Sequence, residues 1–187
     1  MGAWGITAFE SGTGLDAVGF IRHNMTEGGN LELHKIVSDM QNDYWTKASD
    51  VTHGESHTSP MALAEMVIKF VDRDIGELDY DEEWAADDNK FSALTSFTAD
   101  RESLEWLRDY LSDTLKHCRT NSRLYASQGA TGSESRGGWF AKKDWYKWQK
   151  HMTTLAERMD TLAASTDIQI ELIQPQEQAN DPGMKLE

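Results

Sequence analysis

The stretch WYKWQKHMTTLAERMDTL, residues 145–162, decides the fold class. Its apolar residues, Trp145, Trp148, Met152, Leu155, Met159 and Leu162, recur in alternating steps of three and four over eighteen positions. That period puts them on one side of an α-helix, as a seam facing a core or another helix. Core packing is the simpler reading of the seam. An exposed groove for a partner is the other.

The same period extends outward from this helix. Leu104, Leu107, Leu111, Leu115 and Cys118 share one face of a helix predicted over about Asp100–Arg119, and 121–128 reads as a short further helix. Ser59-Pro60 is a helix start, with Ser as the cap and Pro at the first helical position. Leu63, Met66, Val67 and Phe70 follow on one face. Leu33, Val37, Met40 and Tyr44 predict a helix over about 31–47, and Leu15, Val18 and Ile21 another over about 15–25, closed by Gly28-Gly29. The expected fold is therefore mainly α, a compact multi-helix domain with long loops.

One segment breaks the pattern. Ile168, Ile170 and Leu172 alternate with Gln169 and Glu171, which predicts a short strand. A lone strand is unstable. The strand is expected either to pair with another extended segment, the N-terminal stretch near Ile6–Phe9 being the candidate for one small strand pair with residues 167–173, or to stay loose. The domain expectation is a single helical domain over 1–165, carrying an acidic insertion at 72–88 and a Gly-rich loop at 129–138. Residues 166–187 are expected to form the short strand and a disordered tail.

Asp and Glu outnumber Lys and Arg by 32 to 18, so the net charge is −14. Such a surface repels nucleic acid and anionic lipid, and draws in basic partners. The expected partner is thus a basic protein, with no nucleic acid and no membrane. A plainer role for the charge is to keep the protein in solution. Cys118 is the lone cysteine, so no intramolecular disulfide forms, which fits a reducing cytoplasm. At a core-compatible helix position it reads as a buried, inert thiol. No run approaches the ~18 apolar residues of a membrane span, and the N-terminus lacks a signal-peptide pattern.

Gly2, Gly5, Gly12 and Gly14 around Trp4 suggest tight turns about a buried tryptophan. The string Met1-Gly2-Ala3-Trp4-Gly5, then Phe9-Glu10 and then Leu15-Asp16 on a helix, resembles a family of small bacterial proteins, domain of unknown function 4259. Ala62, Ala64 and Glu65 are similar to an Ala-rich, Glu-bearing helix of that family. Ser122-Arg123-Leu124-Tyr125, and Trp148 with Leu155 and Arg158, are similar to its later segments. The resemblance covers roughly residues 1–160, and its specific part is the N-terminal motif. It implies a structural role for Gly2, Trp4, Gly5, Phe9, Glu10 and Asp16. The turn Ser11-Gly12-Thr13-Gly14, the segments 72–88 and 129–138, and residues 166–187 depart from the family pattern. The family has no established activity, so the resemblance constrains fold more than function.

Three constellations could carry chemistry. Asp50, His53, Glu55 and His57 lie in the loop DVTHGESH, and His53, Glu55 and His57 are natural ligands for a divalent metal. Their spacing is not the metalloprotease H-E-x-x-H. Glu10, Asp16 and Glu65 converge if the first and third helices pack, as an acid–base set; otherwise Glu10 and Asp16 cap turns and helix ends. FAKKDWYKWQK, residues 140–150, mixes lysines with rings, as a nucleic-acid surface does, although the lysines read more simply as the solvated face of the seam helix. No G-x-S-x-G elbow and no phosphate-loop Lys-Ser/Thr is present.

The expectation is a non-catalytic protein-binding protein with no cofactor. Its narrower form is an acidic immunity or antitoxin protein that neutralises a basic, nuclease-type toxin. Asp79, Tyr80, Asp81, Glu82, Glu83, Trp84, Asp87 and Asp88 are the expected partner-binding residues, the acids steering and the rings anchoring. The alternatives are a metal-dependent hydrolase using His53, Glu55 and His57, and a structural subunit of an oligomer assembled through the seam.

Overall fold

The computed structural model describes residues 4–44, 46, 58–79, 90–127 and 143–173. Among them are five α-helices: α1 (Gly12–His23), α2 (Leu33–Asn42), α3 (Thr58–Asp72), α4 (Arg101–Ser127) and α5 (Trp145–Ser165). Three short strands, β1 (Asn30–Glu32), β2 (Ser96–Asp100) and β3 (Gln169–Glu171), form one sheet in the order β1-β2-β3. The fold is mainly α with this single small sheet.

α3 is the central helix. Every residue from Thr58 to Val67 is buried, and the sequence TSPMALAEMV places small or apolar residues all round except at Glu65. Its start is Thr58, one residue before the expected Ser59 cap. α4 and α5 form a hairpin beside it. Arg108 pairs with Asp160 and Arg119 with Gln149, so the two helices run antiparallel. Leu104, Leu107, Leu111, Leu115 and Cys118 of α4 are buried, and so are Trp148, Met152, Leu155, Met159 and Ala163 of α5. The seam is thus closed inside the chain. Trp145 and Leu162, its expected ends, are only partly buried.

α4 runs unbroken through Ser127, where two helices were expected. Asp100 caps it, accepting the Ser103 N–H at 2.9 Å and the Ser103 hydroxyl at 2.7 Å. In α2 the inward face is Leu33, Ile36, Val37 and Met40, while Tyr44 lies beyond the helix and is 86% exposed.

The sheet corrects the strand expectation. β3 pairs antiparallel with β2, Ala99 opposite Ile170, and not with the N-terminal segment. That segment instead coils into a 3₁₀ turn, Ala8–Glu10. β1 pairs parallel with β2, Leu31 opposite Phe97. Residues 31 and 32 were expected in the second helix. A parallel pair needs a long crossover, which α2 and α3 provide. Leu31, Phe97, Ala99 and Leu172 turn into the core.

The domain expectation changes at its C-terminal end. Residues 166–173 belong to the same core as the helices: Leu172 is buried, and the Glu171 carboxylate accepts the Ser96 hydroxyl and the Phe97 N–H. Residues 174–187, where the tail was expected, lie outside the described residues, as does the Gly-rich loop at 129–138.

Candidate functional site

The N-terminal motif builds a dense polar constellation. The Glu10 carboxylate accepts the backbone N–H of Ile6 at 2.9 Å and of Thr7 at 3.1 Å, and the Thr7 hydroxyl at 3.1 Å. The Thr7 N–H holds its pKa below the ordinary value of 4.5; burial opposes this, and the Ile6 N–H, the Thr7 hydroxyl and nearby His151 reinforce it. Ser11 then caps α1, accepting the Gly14 N–H at 3.0 Å while its hydroxyl donates to the Ala8 carbonyl at 2.8 Å. A Cβ on Gly14 would lie 1.8 Å from that carbonyl, so only glycine lets the turn sit this close to the helix.

The turn is anchored by a residue 57 positions away in the sequence. Ala8 donates its N–H to both oxygens of Glu65, each at 3.0 Å. Glu65 projects from the middle of α3 and is 5% exposed. His151 on α5 supplies its counterpart, with Nε2 at 2.6 Å from Oε1. One buried carboxylate therefore joins the N-terminal turn, the central helix and the seam helix. A buried carboxylate needs such partners, because removing it from water costs several kcal/mol otherwise.

His151 is half-buried and borders a cavity of about 220 Å³ lined by Thr7, Phe9, Ile68, Lys69 and Leu155. An imidazole oriented by a buried carboxylate has the makeup of a general base. Its neighbouring hydroxyl, however, is turned away: Thr7 Oγ1 donates to Glu10. Lys69 is engaged with Glu77 at 2.9 Å and Asp74 at 3.7 Å, and lies over the Phe9 ring. The arrangement reads as a staple holding three elements together.

Of the motif residues, Phe9 packs against the core and Gly5 sits against the Glu10 carboxylate. Trp4 is 64% exposed, which corrects the expectation of a buried ring. The glycines serve the close approach of Glu10 and of α1 instead. Asp16 is exposed on α1 and joins neither Glu10 nor Glu65. Gly2 lies outside the described residues, as do Asp50, His53, Glu55 and His57. Among the described residues no group of three or more His, Cys, Asp or Glu is placed to hold a metal ion.

Asp79 is the one described member of the expected partner-binding run, and it is not at the surface. It is 5% exposed and accepts the N–H groups of Phe91 at 2.8 Å and Ser92 at 3.0 Å. Arg22 of α1 approaches it at 3.8 Å and lies over the Phe91 ring. Asp79 thus ties the 3₁₀ turn Phe91–Ala93 to α1, and in this position it cannot touch a partner. Tyr80, Asp81, Glu82, Glu83, Trp84, Asp87 and Asp88 lie outside the described residues.

The charge is divided along the chain. From Lys116 to Lys150 eight Lys and Arg face two acids, a net +6, so the other residues carry −20 of the total of −14. The exposed acids of α4, Glu102, Asp109 and Asp113, all lie in its N-terminal half.

His151 and Arg22 were missed in the sequence. His151 sits three residues after Trp148 and four before Leu155, at the edge of the apolar stripe, and that position was the available signal for its partial burial. Arg22 follows Ile21 and lies four residues after Val18, again at the edge of an apolar face.

The chain matches no protein-family model, no curated protein and no solved structure.

Proposed function

We propose that this is a non-catalytic binding protein that captures a basic macromolecule, and that its role is that of an immunity protein neutralising a basic, nuclease-type toxin. One observation carries the reading: a charge of −20 borne by the residues outside 116–150. Among the described residues most of those acids are exposed, including Asp16, Glu27, Glu32, Asp39, Asp72, Asp74, Glu77, Glu102, Asp109, Asp113 and Asp167. A field of that sign raises the encounter rate with a cationic protein by roughly 10–10³-fold and mimics the phosphates a nuclease recognises. The expected contact surface is the acidic run from Tyr80 to Asp88, with Tyr80 and Trp84 as anchors, together with the exposed acids that flank it, Asp74 and Glu77.

Membership of the family of domain of unknown function 4259 is part of the proposal, supported by the N-terminal motif. The physical roles of Gly5, Phe9 and Glu10 in one tight turn suit a conserved structural signature. A cytoplasmic location is proposed from the single cysteine. Among the described residues no helix is long and apolar enough to cross a membrane.

The test uses the full chain as bait for proteins of its source cell. The expected result is one dominant basic partner, released as salt rises from about 0.05 M to about 0.5 M, whose nucleic-acid cleavage stops when an equimolar amount of the chain is added. A set of captured proteins with no basic member, or a captured nuclease left fully active, overturns the proposal.

A further inference from the structure

A groove of about 530 Å³ runs between α4 and α5, with Leu115 and Ala156 among its walls. That volume falls in the ~300–1,000 Å³ range of small-ligand pockets. Arg108, Lys116, Arg119 and Arg123 line it. Arg108 is committed, to Asp109 at 2.8 Å and Asp160 at 3.0 Å. The Arg119 Nε donates to Gln149 at 2.8 Å, which aims the guanidinium and leaves its terminal nitrogens available. Lys116 and Arg123 are exposed and have no acidic partner among the described residues.

Three cations with no acidic partner among the described residues, Lys116, Arg119 and Arg123, therefore stand at i, i+3 and i+7 on one helix face, separated by about 4.5 and 6 Å along its axis. The helix dipole accounts for one of them at most. Its effect fades within the last turn, and Arg119 and Lys116 lie more than two turns from Ser127. Ordinary dispersal of charge does not account for them either, because the chain around them carries −20. At physiological salt, charges further than about 8 Å are largely screened, so the groove keeps its own sign.

We propose that this groove binds a small, multiply phosphorylated anion. The guanidinium groups of Arg119 and Arg123 match phosphate oxygens in pairs, and the Lys116 ammonium adds a third charge. The opposite end of the groove explains why the ligand is small. Glu157 and Asp160 close it there. A long polyanion running along the groove meets those acids, whereas a short one stops before them. The site is independent of the acidic surface assigned to the basic partner.

Calorimetric titration of the full chain with inorganic tripolyphosphate tests this. The expected result is one-to-one, sub-millimolar binding that weakens with salt, and a loss of about tenfold or more in the Arg119→Glu/Arg123→Glu double variant. Both positions are exposed, so thermal melting of the variant should match the parent. Lys147→Glu, an exposed position facing away from the groove, serves as the charge control. An absence of saturable binding overturns the proposal, as does an equal loss in Lys147→Glu. Equal binding of a hexaglutamate peptide overturns the phosphate assignment. Tighter binding of a twelve-residue oligothymidylate replaces it with a nucleic-acid site.

Discussion

His151 on α5 lies 2.6 Å from Glu65 on α3, 86 residues away in sequence, and the same carboxylate holds the Ala8 N–H with both oxygens at 3.0 Å. Truncating Glu65 leaves a buried N–H without an acceptor and an imidazole without its partner. Glu65→Ala is expected to destabilise the fold by about 3 kcal/mol, and Glu65→Gln by less, since one acceptor remains. Urea unfolding measures both. A loss under about 1 kcal/mol for Glu65→Ala would show that the N-terminal turn docks without this anchor.

Asp79 is expected to behave as a core residue. Asp79→Ala removes the acceptor for two backbone N–H groups and the carboxylate that faces Arg22, at a cost of about 2–3 kcal/mol. Asp79→Asn retains an acceptor oxygen and should lose roughly half as much. If Asp79→Ala melts like the parent while partner capture drops, the residue belongs to a binding surface after all.

Gly14 and Gly19 share α1 and should respond oppositely to alanine. A Cβ at Gly14 meets the Ala8 carbonyl at 1.8 Å, and backbone cannot swing aside as a side chain can. Gly14→Ala should cost about 2–3 kcal/mol. At Gly19 nothing lies within 4 Å, so Gly19→Ala should stabilise by about 0.5–1 kcal/mol through helix propensity. Thermal melts of the two variants, one below and one above the parent, check this pair.

Three carboxylates set the expected acid response. Glu10 is held below its ordinary value of 4.5 by the Thr7 N–H. Asp72 is held below 3.8 by its hydrogen bonds to Arg158. Burial pushes Glu171 up, but the Ser96 hydroxyl and the N–H groups of Phe97, Ile173 and Leu172 outweigh it. A folded pKa below the unfolded one stabilises at pH above the unfolded value, and the gain vanishes as pH falls through the folded value. These groups should leave the melting temperature flat from pH 7 to about 5.5, then lower it below about pH 4.5. The stability gap between the parent and Glu10→Gln should narrow as the pH drops. A gap that stays constant down to pH 3 removes Glu10 from this account.

Cys118 is buried on the α4 face of the hairpin, and burial pushes its thiol up to about 11. Since the thiolate is the reactive form, a thiol reagent at pH 8 should label it only after denaturation. Labelling of the native chain at the rate of a free thiol would place Cys118 at the surface.

Much of the helical framework was legible. Trp148, Met152, Leu155 and Met159 identify the seam by spacing alone, because a helix repeats every 3.6 residues and burial selects the repeating face. The strands were less so. Phe97 and Ala99 alternate inward over only five residues, and Leu31 sits beside a helical pattern that absorbs it. Asp79 and Glu65 were illegible as core residues, since a carboxylate is ordinarily exposed.

What the sequence by itself determined is local and additive: the helical faces, the absence of a disulfide, the excess of acid and the glycines that mark a tight N-terminal turn. Which strand pairs with which, the inward turn of Asp79 and the meeting of Glu65 with His151 were decided only by the tertiary structure. Each depends on a partner tens of residues away. A hydrogen-bond donor that cancels the cost of burying a charge leaves no mark on the sequence around the charge itself.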